Sequence, residues 1–272
     1  MPSREVYPNA PLRLVTSEFR FPLSPRLSRD DVLGELAGVL GDALPIVEVA
    51  SPPGFTLSVG VESPLRPGAS SGGYRFMTRD RMAAVTVAPT RIAIETTKYA
   101  HWETFRDTVV RPALEGVGGE LGAIAGLDRV GLRYINEIRV VKGSLRPEDW
   151  TDYVSEDLVA MMRLADGSLV QTAQGALHLL TPSNDEILMR FGTMEGFMVA
   201  DSGPLALPTP IRDGAFFLVD IDSYWARSAT LDEFSVSDAL AISDRLHQPV
   251  NQLFEHSISE KLREEVLRVG PS

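Results

Sequence analysis

The sequence predicts an α+β fold made of two pseudo-symmetric halves, each running strand, helix, three strands, helix, that share a mainly antiparallel curved sheet covered by helices. Three observations carry this reading. Segments with period-two alternation, such as Leu12–Phe21, are interleaved with segments whose apolar residues keep helical spacing, such as Trp102, Phe105, Val109 and Ala113. The order of these segments is the same in both parts of the chain. Short matches recur as well: with one residue skipped, Leu12-Arg13 followed by Glu18-Phe19-Arg20-Phe21 is similar to Leu132-Arg133 followed by Glu137-Ile138-Arg139-Val140, and Ile94–Tyr99 aligns with Val219–Tyr224.

In the first half, 11–126, Leu12–Phe21 reads as a strand. Ser28-Arg29-Asp30-Asp31 then opens a helix, with an N-cap and first-turn acids, that runs to Leu40 and stops at Gly41. Ile46–Val61, Tyr74–Val87 and Arg91–Thr97 read as three strands, separated by the punctuated segment Ser63–Gly73 and the Ala88-Pro-Thr90 turn. A helix follows from His101 to Leu121, kinked at Pro112. In the second half, 127–272, Val130–Val141 is a strand and Arg146-Pro147-Glu148-Asp149 opens a helix that continues to Leu164. Ser168–Leu180, Glu186–Val199 and Ala215–Tyr224 are strands, and Ser235–Val269 is a long C-terminal helix bent at Pro249. Two half-sheets hide a pair of edges by joining, so the chain reads as a single domain, 1–272.

The formal charge is −11, from 26 Lys and Arg against 37 Asp and Glu. A binder of phosphate backbones needs a basic face, so no nucleic acid is expected; the nearby arginines Arg75, Arg79, Arg81 and Arg91 read as exposed strand residues. Cysteine is absent, which removes disulfides, thiolate nucleophiles and Cys-ligated metals together and fits a reducing, cytoplasmic setting. No stretch has the roughly 18 consecutive apolar residues of a membrane span.

Tyr7-Pro-Asn-Ala-Pro-Leu12, Gly131-Leu-Arg-Tyr-Ile-Asn-Glu137, Leu246-His247 and Leu253-Phe254-Glu255 together resemble a sporadically distributed family of uncharacterised bacterial proteins of about this length. The resemblance covers nearly the whole chain and implies a full-length unit of bacterial origin. It implies no activity and no catalytic residue.

The chemistry-bearing candidates lie on strands. Glu18 and Arg20, Glu137 and Arg139, and Asp220 and Asp222 are each two residues apart, so each pair shares one sheet face. Converging, they would form a carboxylate and guanidinium cluster able to hold a ligand; diverging, they are surface or structural ion pairs. Asp220-Ile-Asp222 alone lacks the further ligands of a metal site, Glu95 being the nearest candidate by the repeat, and no metal or cofactor is expected. Of the four histidines, His247 and His256 fall on opposite sides of a helix, and His178 reads as a lone structural imidazole in an apolar strand. Gly116–Gly122 misses the dinucleotide-binding spacing and reads as a helix end; the Walker and GxSxG motifs are absent. The 200–214 segment, with Pro204, Pro208 and Pro210, is a candidate lid over a cavity beneath the long helix, or a partner-binding segment.

With no recognisable catalytic set, the sequence favours a non-catalytic binding or accessory protein in a bacterial multi-protein system. It would engage a protein partner through a sheet edge or the proline-rich loops, homo-oligomerisation being a further possibility. The alternative is a ligand-binding protein or enzyme that uses the Glu/Asp/Arg cluster in a cavity between the halves.

Overall fold

The computed structural model describes residues 5–50, 73–140, 146–166, 168–199, 204–210, 214–227 and 230–269. Nine strands form one antiparallel sheet: β1 (Leu12–Arg20), β2 (Ile46–Ala50), β3 (Gly73–Met77), β4 (Ala83–Ala88), β5 (Arg91–Thr96), β6 (Arg129–Ile138), β7 (Gln174–Leu180), β8 (Glu186–Glu195) and β9 (Ala215–Ala226). Across the sheet the order is β2-β3-β4-β5-β1-β6-β9-β8-β7, which sets β1 beside β6 at the middle with Ser17 opposite Leu132.

Strand alternation sends Val15, Phe19, Val85, Ile94, Leu132, Val219 and Ile221 to one face, where helices cover them. Helix α1 (Val32–Leu40) contributes Val32, Leu36 and Leu40, one four-residue stripe. Helix α2 (102–120) alternates ordinary turns with wider π turns at Arg106–Val110 and Glu115–Glu120. Pro112 lies between those two, where its missing amide proton leaves one intrahelical bond unmade. Helix α3 (Val236–Ser257) is capped by Ser235, whose Oγ accepts from the Asp238 amide, and packs over β6 and β9. The opposite sheet face is packed by a smaller cluster at one end, where Val199 and Leu205 meet Leu14, Met77, Ile135, Phe216 and Leu218. The 204–210 part of the expected lid therefore lies across the sheet from α3, not beneath it.

Several boundaries depart from the sequence reading. Tyr74–Val87 is not one strand but the hairpin β3–β4. Its turn lacks Gly and Pro: Asp80 Oδ1 accepts from the Thr78 hydroxyl (2.6 Å) and the Met82 amide (3.0 Å), and Arg81 takes a left-handed φ of 56°. Helix α1 begins at Val32 rather than Ser28, because the Ser28 hydroxyl donates back to Ser24 O instead of capping. The expected helix 146–164 is broken into 3₁₀ turns at Pro147–Asp152 and Ala160–Ala165 around one α-turn, Glu156–Val159, and Val154 between them leaves helical geometry to bridge with Ile258. The terminal helix stops at Ser257: Ile258 is extended and bridges to Val154 before helical turns resume at 260–267. β2 ends at Ala50, and the rest of the expected strand and the Ser63 loop fall outside the described residues.

Candidate functional site

The sheet face turned away from the helices carries a chain of charged side chains that crosses six strands. On β7 and β8, His178 Nε2 and Glu186 Oε2 lie 2.8 Å apart, and the Tyr224 hydroxyl on β9 donates to the same oxygen at 2.6 Å. The Arg129 guanidinium stacks 4.4 Å from the Tyr224 ring centre and reaches Glu18 Oε1 (3.3 Å) and Asp222 Oδ2 (3.5 Å). Arg129 has this room because Gly131 is two residues along the same face: a Cβ there would lie 2.5 Å from Arg129 Nη1. Glu18 also accepts from Arg20 Nε at 2.6 Å and pairs with Arg91 at 3.7 Å. One row further along, Arg133 grips both oxygens of the fully buried Asp220 (2.7 and 2.8 Å), and Arg190 approaches the same carboxylate at 3.4 Å.

Four of the six sequence candidates, Glu18, Arg20, Asp220 and Asp222, therefore belong to one network. Glu137 and Arg139 lie on the same face but do another task. The buried Glu137 carboxylate accepts from the amides of Met198 (2.7 Å) and Val199 (3.2 Å) and from Arg139 Nη2 (2.9 Å), with Arg13 Nε at 3.5 Å. Arg139 in turn donates to Gly196 O and Gly214 O and lies 4.6 Å over the Phe216 ring. The pair clamps both ends of the loop after β8 onto the sheet.

Two carboxyls of the charged face are held above the ordinary range by burial: Glu95, with Glu18 adding to the effect and Arg75 and Arg91 opposing it, and Asp222, opposed by Arg129 and Arg133. Glu95 makes no hydrogen bond among the described residues, whereas Glu186 is pulled below the ordinary range chiefly by the Tyr224 hydroxyl. The folded protein binds the Glu95 proton more tightly than the unfolded chain does, so stability falls as pH rises from the ordinary glutamate pKa through the raised one. Glu95→Gln is thus expected to be more stable than the parent at pH 7, with the gain disappearing below the ordinary carboxylate range. Denaturant melts at the two pH values check this, and a less stable variant at pH 7 would contradict it.

Sequence reasoning missed the arginines that organise the network, Arg129, Arg133 and Arg190, although their even spacing from Gly131 and from Glu186 was a usable period-two signal. It also misplaced one histidine. His178 is exposed on an edge strand and paired with Glu186, not enclosed in apolar surroundings. His247 is buried, with Nδ1 3.0 Å from the Tyr134 hydroxyl and its ring stacked on Trp102; Tyr134 in turn meets the Tyr99 hydroxyl at 3.1 Å. That chain ties α3 to the sheet. Among the described residues no group of three or more His, Asp or Glu side chains is placed to hold a metal ion, and no described helix is long and apolar enough to cross a membrane.

The last feature is the edge strand β7. Thr193 N donates to Ala173 O and Thr181 N to Asp185 O, so odd-numbered residues from 173 to 181 face β8. Gln174, Ala176, His178 and Leu180 turn their backbone N–H and C=O groups outward, and no described strand pairs with them. β7 contains no Lys, Pro, Asp or Glu, its register with β8 is unbroken, and Leu177 and Leu180 are 42% and 66% exposed. Exposed Met161, Leu164 and Leu169 belong to the segment just before it. No family model matches this sequence, and no curated protein matches it.

Proposed function

We propose that this chain is a non-catalytic accessory protein that captures an extended segment of a partner protein as an additional strand along β7. The observation that carries the reading is the unguarded edge. Sheet proteins blunt such edges with charge, proline, bulges or covering elements, because a row of open backbone groups beside apolar side chains invites strand addition. β7 uses none of these sequence devices, and its apolar side chains extend the row of backbone donors and acceptors into a surface with pockets for alternate residues.

Two further readings support that picture. The strand order places β5, β4 and β3 outward from β1, and β9, β8 and β7 outward from β6, which fits halves 11–126 and 127–272 related by a twofold axis near the β1–β6 seam in a single domain 1–272. On that reading β7 corresponds to β3, whose outer side is taken by β2. The family resemblance and the lack of cysteine are in keeping with a role inside a bacterial cytoplasmic assembly.

Ala176→Pro tests the proposal. Proline at 176 removes an outward N–H and leaves the β7–β8 ladder intact, whereas Leu177→Pro removes an inward one and breaks that ladder. Ala176→Pro is expected to keep the parent melting temperature within a few degrees while losing the partner that co-purifies with the parent protein from its native host. Retention of the same partner by Ala176→Pro would refute the edge as the docking site.

A ligand-binding reading is favoured by one observation: Glu95 and Asp222, two partly exposed carboxyls held protonation-prone by burial, sit among arginines on the open face on either side of the β1–β6 seam. It requires small-molecule binding that shifts the resonances of β5 and β9 and leaves β7 untouched.

A further inference from the structure

We propose that the segment captured by β7 is an acidic apolar strand: apolar residues at alternate positions, with a carboxylate between them set over Ala176 and directed at Arg190. This rests on the reading of β7 as a docking edge and specifies what docks there.

Charge comes first. Asp220 is a single carboxylate shared by two guanidiniums, with Arg133 holding both of its oxygens and Arg190 left at 3.4 Å from one of them. Asp222 adds a second carboxylate near Arg133, which leaves Arg190 as the more weakly held guanidinium, with 30% of its side chain exposed. In register, Arg190 stands opposite Ala176 on the charged face. Alanine offers no side chain to screen it, so a strand added outside β7 would present its residue over Ala176 about 10 Å from Arg190, two strand spacings. An extended arginine and a glutamate together span that distance. A crevice of about 10 Å³, lined by Gln174, Gly175, Arg190, Phe191, Gly192, Met194 and Leu218, opens at the same place, with room for roughly one water.

Apolar surface lies on the other side of the added strand, where residues flanking the acid would meet exposed Leu177. A Cβ on Gly175 would touch Phe191 and Met161, so that glycine leaves an apolar floor within reach of the newcomer. The chain already uses such a strand at the far edge of the same sheet. β2, Ile-Val-Glu-Val-Ala, pairs with β3 so that Glu48 stands opposite Arg75 and bonds to Arg81, between apolar neighbours.

The probes are two short synthetic peptides alternating valine and threonine around one central residue, glutamate in one and lysine in the other, titrated into the full chain while the amide resonances of Gln174–Leu180 are followed. The glutamate peptide is expected to bind about threefold to tenfold more tightly than the lysine peptide, the range of a partly exposed ion pair and its reversal. Arg190→Gln should remove that preference without weakening the lysine peptide, and Arg190→Glu should invert it. Equal binding of both peptides to the parent, with Ala176→Pro still blocking both, overturns the charge rule while the docking edge stands. Failure of either peptide to perturb β7 at millimolar concentration overturns both.

Discussion

Asp220→Ala is expected to destabilise the protein by about 2–4 kcal/mol, lowering the melting temperature by about 5–15 °C for a chain of this size. Asp220 is fully buried, and its two oxygens accept two bonds from Arg133 at 2.7 and 2.8 Å and a third contact from Arg190. Removing it strands two guanidiniums against each other on a surface that water reaches only in part. The full cost of an orphaned buried charge is not reached, because the Arg133 and Arg190 side chains remain 28% and 30% exposed and can recruit solvent. Asp222→Ala is the informative contrast. It lies two residues along the same strand face, yet its one ion pair among the described residues is a 3.5 Å approach from Arg129, and burial opposes its charge. Its loss is expected to cost less than about 1 kcal/mol. Thermal and urea melts of the two variants side by side measure the difference; similar losses would mean that the open-face network acts as a unit and not as separate pairs.

Glu137→Ala is expected to cost about 2–4 kcal/mol and to act locally on the loop after β8. The carboxylate satisfies two backbone amides, Met198 and Val199, and neutralises Arg139, which itself holds Gly196 O and Gly214 O. Truncation leaves two amides and a guanidinium unmatched in a site that is 3% exposed at Glu137. Val199 and Leu205 would then lose their anchorage against Phe216 and Leu218. Hydrogen exchange is expected to accelerate at 196–199 far more than in β6 or β9. Glu137→Gln separates the two roles, since its amide oxygen still accepts from the backbone while the charge facing Arg139 is gone; an intermediate loss is expected. Uniform acceleration across the sheet in Glu137→Ala would show that Glu137 supports the whole fold and not the loop alone.

The candidate site was legible only in pieces. Period-two spacing put Glu18 with Arg20 and Asp220 with Asp222 on common faces, and those placements follow from strand geometry. The same rule applied to Glu137 and Arg139, which share a face with the others but are captured by loop amides that arrive from sixty residues away. Nothing within the strand itself announces that partner. The hairpin at Thr78–Met82 was hidden for a related reason: Asp80 makes the turn through side-chain bonds, without the Gly or Pro that marks most turns.

What the sequence determined by itself is local: an α+β chain, strands whose alternate residues divide apolar from charged, a long C-terminal helix following Ser235, and a composition without thiol chemistry. Those properties depend on backbone geometry and side-chain chemistry within a few residues. The tertiary structure alone decided which strands are neighbours, and with that which charged side chains meet. It placed β1 against β6, brought Arg129 to Glu18 and Asp222, broke the terminal helix at Ile258 to let it pair with Val154, and left β7 outermost. The physical reason is that cross-strand register joins residues about ninety or more positions apart, where the energy of a contact depends on both partners and neither one's sequence neighbourhood records the other.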